Sequence, residues 1–151
     1  MIDTVELKSM VVDALSDSAE LEDFIVQNLN TEKMYLFSGV DIDAAPEVYP
    51  MIVVRTPKVS NDNYEQNVAM IVDIQVEYET NPEQLIENAK RYGGDDIIEM
   101  MRDIVIQAIT DRLERECGLS VRQWTWEQDL IMTYPVYSGF VVFDINKEIT
   151  I

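Results

Sequence analysis

The sequence predicts an α+β fold: an antiparallel β-sheet with a long hairpin, packed against an N-terminal helix and a long central helix. Three observations predict it. Apolar residues recur at helical spacing up to Leu29 and again from Ile97 to Ile109. They alternate with polar ones from Val72 to Tyr78, and Val68 and Met70 continue the same parity. The order helix, strands, helix, strands segregates the two kinds of element, as α+β architectures do.

The first helix places Leu7, Met10, Val11, Ala14 and Leu15 on one face, with Asp3, Glu6, Lys8 and Asp13 mostly opposite. Ser16-Asp17-Ser18 interrupts it with residues that cap a new helical turn. The pattern resumes with Leu21, Phe24, Ile25 and Leu29, which predicts two short helices or one bent one. Met34 to Phe37 reads as a short strand, and Ser38 to Pro50 as a connection carrying Gly39, Pro46 and Pro50. Met51 to Thr56 is the next strand, with Pro57 as its stop.

In the following run, Val68, Met70, Val72, Ile74, Val76 and Tyr78 share one face, and Asp73, Gln75, Glu77 and Glu79 share the other. It is about twice the usual strand length of roughly five to six residues, so part of it is expected to project beyond the sheet. Residues 57–67 read as a polar loop joining these two strands, a docking arm at the tip of a long hairpin. Asn81-Pro82 predicts a helix start, with Leu85, Ile86 and Ala89 in its first turns. Gly93-Gly94 kinks or breaks that helix, and Asp95 or Asp96 caps its continuation. Ile97, Met101, Ile104, Val105, Ala108 and Ile109 carry the stripe on to Cys117-Gly118, where Gly118 suits a left-handed C-terminal cap. Val121 to Glu127 is a strand with Trp124 and Trp126 on one face, and a strand pair follows at Leu130 to Tyr134 and Gly139 to Ile145.

Composition narrows the function. The 151 residues suit one domain, 1–151, and 47% hydrophobic against 26% charged residues leaves a real core available. A formal net charge of −18 excludes binding to nucleic acid or an anionic membrane through basic patches. There is no histidine, which removes imidazole-based triads and zinc sites. Cys117 is the single cysteine, consistent with a reducing compartment. The start of the chain has no basic segment followed by an apolar stretch, and the longest apolar run, Val68 to Val72, is five residues, so neither a signal peptide nor a bilayer span is expected.

The chemistry-bearing patterns are weak. The five glycines, at 39, 93, 94, 118 and 139, match no phosphate-binding spacing. Asp95 with Glu99, or Glu99 with Asp103, shares a helix face as an acid/base or metal site requires, but among 29 acids such pairs arise by chance on a solvated face. Asp41-Ile42-Asp43 and Asn61-Asp62-Asn63 resemble the start of a calcium loop, yet Pro46 and Gln66 stand where glycine is needed and no glutamate is twelfth. Cys117 at a helix C-terminus has its pKa raised by the dipole and reads as a small buried residue. Trp124 and Trp126 read as core or subunit interface ahead of a stacking platform. Tyr64 is the better contact candidate, because an aromatic residue in a loop gains from a partner that buries it.

Taken together, several stretches look like the tailed-phage tail terminator (tail completion) family: Ala14-Leu15 with Ala19-Glu20-Leu21, the Met34-Tyr35 strand, the proline-led Pro46-Glu47-Val48-Tyr49-Pro50-Met51-Ile52-Val53-Val54 strand, Val72-Asp73-Ile74-Gln75-Val76, and Tyr137-Ser138-Gly139-Phe140. The resemblance covers nearly the whole chain. It implies a structural virion protein of the tail and neck, assembled in the host cytoplasm, with no catalytic residue, cofactor or membrane. Such proteins form a ring, usually of six subunits, that ends tail-tube polymerisation and meets the head-to-tail connector or neck protein. Its partners are then copies of itself, the tail tube protein and the connector, and DNA passes through without specific binding.

On this reading Asn61, Asp62, Asn63, Tyr64 and Glu65, with the apolar Ile149 and Ile151, are candidates for the subunit or tube interface. Six copies at −18 carry −108, so Asp73, Glu77 and Glu79 are candidate channel-lining acids that keep DNA from sticking. The rival readings are an acidic DNA mimic that inhibits a DNA-binding enzyme, and another ring protein of the phage neck. Against the mimic, the acids are interleaved with an ordinary amphipathic pattern.

Overall fold

A computed structural model of the chain describes residues 2–39, 47–79, 85–86, 89–90, 93–129 and 135–148. The N-terminal segment forms two helices, α1 (Thr4–Ser16) and α2 (Ala19–Leu29). Each begins where a short polar side chain satisfies otherwise orphaned amides: Asp3 Oδ1 accepts from the Val5 and Glu6 amides at 2.9 and 3.2 Å, and Ser18 Oγ accepts from Leu21 N at 3.2 Å. Asn30 closes α2 in the left-handed region, at φ 52°.

Among the strands, β1 (Tyr35–Ser38), β2 (Met51–Asn61) and β3 (Glu65–Glu77) come first, and β4 (Leu85–Ile86) and β5 (Ala89–Lys90) pair only with each other in a short separate ladder. The first three join β6 (Ser120–Gln128) and β7 (Val136–Glu148) in the main sheet, in the order β1-β2-β3-β7-β6. Neighbours in it are antiparallel except at one edge, where β1 runs parallel to β2. The long helix α3 (Gly93–Arg115) packs on β3, β7 and β6 and against α1 and α2. The α+β class, with both an N-terminal and a long central helix on the sheet, is therefore the observed one.

The core lies between the helices and one sheet face. Alternation in β3 turns Val68, Met70, Val72, Ile74 and Val76 inward, and β7 contributes Tyr137, Val141, Phe143 and Ile145. Opposite them are Leu7, Val11 and Leu15 of α1, Leu21 and Ile25 of α2, and Ile98, Met101, Val105, Ile109 and Leu113 of α3. After α3, Gly118 at φ 64° turns the chain back, and the Leu119 amide donates to Leu113 O at 3.0 Å, the left-handed cap the sequence predicts.

Several local expectations are corrected. Pro57 does not stop its strand, and residues 57–67 are not a loop, because β2 runs through to Asn61 and only residues 62–64 turn. Thr56 and Pro57 stand opposite the single residue Met70, a bulge beyond the end of β1, where proline's missing N–H costs no ladder bond. Nor does the hairpin project as a free arm: β3 pairs with β7 along all 13 of its residues, from Glu65↔Glu148 to Glu77↔Val136. Its length is absorbed by an equally long neighbour.

Leu85, Ile86 and Ala89 are not in a helix; they belong to the β4–β5 ladder, and α3 opens at Gly93 instead of kinking there. Asp95 and Asp96 then occupy its first turn, where the helix dipole favours negative charge. The final strand is longer than Gly139 to Ile145, whereas the strand expected at Leu130 to Tyr134 lies outside the described residues, as do Asp41, Ile42 and Asp43.

Candidate interaction surface

The hairpin tip is built by Asp62. Its amide donates to Glu65 O at 3.0 Å, and its side-chain Oδ1 accepts from the amides of Tyr64 and Glu65, each at 2.7 Å. A carboxylate that folds back on its own turn in this way replaces bonds a loop would otherwise make with water. The same two amides hold the Asp62 carboxyl below the usual carboxylate range.

Next along the strand, Glu65 receives Arg122 of β6 through two contacts, at 2.6 and 3.3 Å. Asn67 Nδ2 donates to the same carboxylate at 3.3 Å. Arg122 first, then Asn67, lowers the Glu65 pKa. Glu65 is thus a brace that ties the tip across the sheet. Asn61 is exposed at the end of β2, and Tyr64, braced on both sides, stands 76% exposed.

The tip is also tied from below. Gln66 and Asn146 are buried polar residues on β3 and β7. The Ile2 amide donates to Gln66 Oε1, and Asn146 Nδ2 donates to Asn67 Oδ1 at 2.8 Å. The start of the chain is thereby fastened to the root of the turn. Sequence alternation does not reveal this network, because Gln66 and Asn146 read as solvent-facing polar positions. The one local signal is that Gln66 continues the inward parity of Val68 to Val76.

The second sheet face, turned away from the helices, holds the proposed channel acids. One row across it reads Phe37, Val53, Asp73, Phe140 and Glu127. Asp73 accepts from Arg55 at 2.9 Å, yet its pKa is raised, because burial outweighs the attraction of that guanidinium. It is a paired, half-buried group. Glu77 follows on the same face and lines a shallow pocket with Leu29, Tyr35, Glu47, Tyr49 and Pro50, where burial first and then Glu47 and Glu77 push the Tyr49 hydroxyl up. Glu79 lies past the end of β3, exposed. Asp73 and Glu77 thus share a face, and Glu79 stands beyond its rim. Ile149 and Ile151 lie outside the described residues.

The remaining candidates have structural tasks. Asp95 accepts from Gln128 Nε2 at 2.6 Å, tying the first turn of α3 to the end of β6, and Asp103 pairs with its neighbour Arg102. Glu99 is exposed on α3. Among the described residues no three Asp, Glu or Cys side chains converge to hold a metal ion. Cys117 is half-buried with its Sγ 3.1 Å from Met10 Sδ, and burial is the first cause of its raised pKa. Trp126 lies over Gly139, where an added Cβ would sit 2.5 Å from the indole, and Arg102 stacks over the same ring at 5.5 Å. Trp124 is 45% exposed. No described helix is long and apolar enough to cross a membrane.

No protein-family model matches the chain, and no curated protein sequence matches it.

Proposed function

We propose that the chain is a structural protein of the tailed-phage virion, of the tail terminator kind, that ends the tail tube with a ring of six copies. The observation that carries this reading is the hairpin tip: a three-residue turn fixed by Asp62, braced through Glu65 to Arg122, and presenting the exposed ring of Tyr64. A rigid turn with one protruding aromatic ring loses little entropy when a neighbour covers it. In the proposed ring the tip meets the next subunit or the last ring of the tube, and the head-to-tail connector sits on the opposite side.

Two further features support it. The sequence resemblance spans nearly the whole chain, and the sheet presents carboxylates at one end of its second face, where a DNA channel needs a surface that repels phosphate. The decisive test is genetic and visual. A phage whose copy of this gene carries Tyr64→Ala should build overlong, irregular tails that fail to join filled heads, while the purified variant keeps the wild-type melting curve. Uniform tails joined to heads in that mutant would end the terminator reading.

A further inference from the structure

We propose that β6 is a self-recognition edge: two copies of the chain pair their β6 strands antiparallel about a two-fold axis at Thr125, joining two five-stranded sheets into one of ten. The contact goes beyond the ring reading and does not rest on it.

The sheet has two unlike edges. At the β1 side the edge is stepped, because the four residues of β1 cover only Met51 to Val54 of β2. The uncovered part of β2 then carries Arg55, a bulge, Pro57 and Lys58, the features by which sheets prevent edge-to-edge pairing. A straight nine-residue strand would find four residues to pair with there. The β6 side has fewer such features. Its nine residues, Ser120 to Gln128, contain no proline, lysine or glycine, its one bulge lies at Arg122 near one end, and the regular stretch from Gln123 to Gln128 is rich in strand formers, with Trp124, Thr125 and Trp126. Among the described residues no strand pairs with its outer side.

The sequence of β6 suits its own copy. Centred on Thr125, antiparallel pairing sets Trp124 opposite Trp126 of the partner subunit on the helix-bearing face, twice by symmetry. Cross-strand aromatic pairs are among the most favourable neighbours in a sheet. They would cover the ring of Trp124, exposed over 45% of its surface in the single chain. On the other face Gln123 meets Glu127 of the partner subunit. Arg122, the extra residue of the bulge between Val121 and Gln123, reaches inward across β7 to Glu65 on that same face, so its charge is already paired and leaves the outer edge of β6 clear. A two-fold operation repeats each of these contacts, and it places both α3 helices on one side of the joined sheet.

The test uses the whole chain. At about 50 μM, well above a micromolar dissociation constant, sedimentation equilibrium should give twice the 17.4 kDa chain mass. Trp124→Lys should return a monomer with an unchanged far-UV spectrum and melting curve. In a Cys117→Ser background, Thr125→Cys places two thiols on directly opposed, non-hydrogen-bonded positions, with Cβ atoms about 4.5 Å apart, within disulfide reach. Oxidation should then give a covalent dimer, and Lys58→Cys in the same background should not. A wild-type monomer at this concentration, a dimer that survives Trp124→Lys, or larger assemblies in which Thr125→Cys fails to cross-link would overturn the proposal. The cross-link reports only a two-fold contact, which closes after two copies, whereas a ring needs a head-to-tail one. Its failure therefore leaves the ring untouched, and irregular tails or their absence leave this contact untouched.

Discussion

At the scale of single residues, Asp62 has the most consequential side chain on the surface, because one carboxylate fixes the turn that carries Tyr64. Its pKa is lowered in the folded chain, and so is that of Glu65 beside Arg122. A carboxyl whose folded pKa lies below its unfolded value of about 4 adds stability above that value. The contribution is lost as pH falls through the lower, folded pKa. Thermal melting should therefore weaken on acidification below about pH 4, and Asp62→Asn should flatten part of that slope; an identical pH profile in the variant would remove Asp62 from the account. Asp73 acts with the opposite sign, since its raised pKa makes the native state hold a proton that the unfolded chain has released. Its ionisation opposes folding as pH rises from the ordinary Asp range through the higher folded value.

Gly94 shows how one missing methyl group positions an element. A Cβ there would come within 2.1 Å of the Tyr137 ring, so α3 can lie against β7 only with glycine at this point. Overpacking of a buried site costs about 1–3 kcal/mol, and Gly94→Ala should lower the melting temperature even though alanine is the better helix former. A variant at least as stable as the wild type would mean that the helix start shifts at no cost.

Among the elements, the three-strand block β2, β3 and β7 is tied at one end by buried polar side chains. Asn146→Ala removes the donor to Asn67 and leaves that amide oxygen poorly partnered, at a cost of about 1–3 kcal/mol. For a chain of this size that is roughly 2–4 °C of melting temperature per kcal/mol. Calorimetry on the purified variant checks it, and amide exchange should quicken first at the tip, in residues 62–68. Bracing from both directions separates this hairpin from a flexible arm: β7 holds its whole inner edge, and Ile2 and Arg122 pin its root and its turn.

For the whole molecule, the helices cover one sheet face and the second face carries a mixed row of apolar and acidic side chains. In the proposed ring, Glu77 and Glu79 are the acids best placed to repel DNA, because Asp73 is already paired with Arg55. Replacing both with glutamine should leave rings intact and slow genome passage. Unchanged ejection kinetics would remove the channel role while sparing the ring. The −18 charge also bears on assembly, since like-charged copies repel over a Debye length of about 8 Å at physiological salt. Association through either the tip or β6 should strengthen as salt is added.

The α+β class, the N-terminal helical pattern with its break and new cap at Ser16–Ser18, the inward parity of Val68 to Val76 and the Gly118 cap were all legible in the sequence, because each depends on neighbours a few residues away. Periodicity and capping are local physics. The candidate surface was legible in part: Tyr64 stood out as an aromatic residue among polar ones, but neither the Asp62 turn nor the Arg122 brace could be read, since both depend on which strands lie side by side. Pro57 looked like a stop because its ring forbids a ladder bond; only the position of β1 shows that no bond is required there. Leu85, Ile86 and Ala89 looked helical from a spacing too short to separate two periods. The order of residues along the chain was enough to say that Val68 to Val76 face inward and that one stripe of each helix is buried. Which strands form the edges of the sheet among the described residues was settled only in three dimensions, because strand order depends on pairing between segments far apart in the chain, and no local pattern records it.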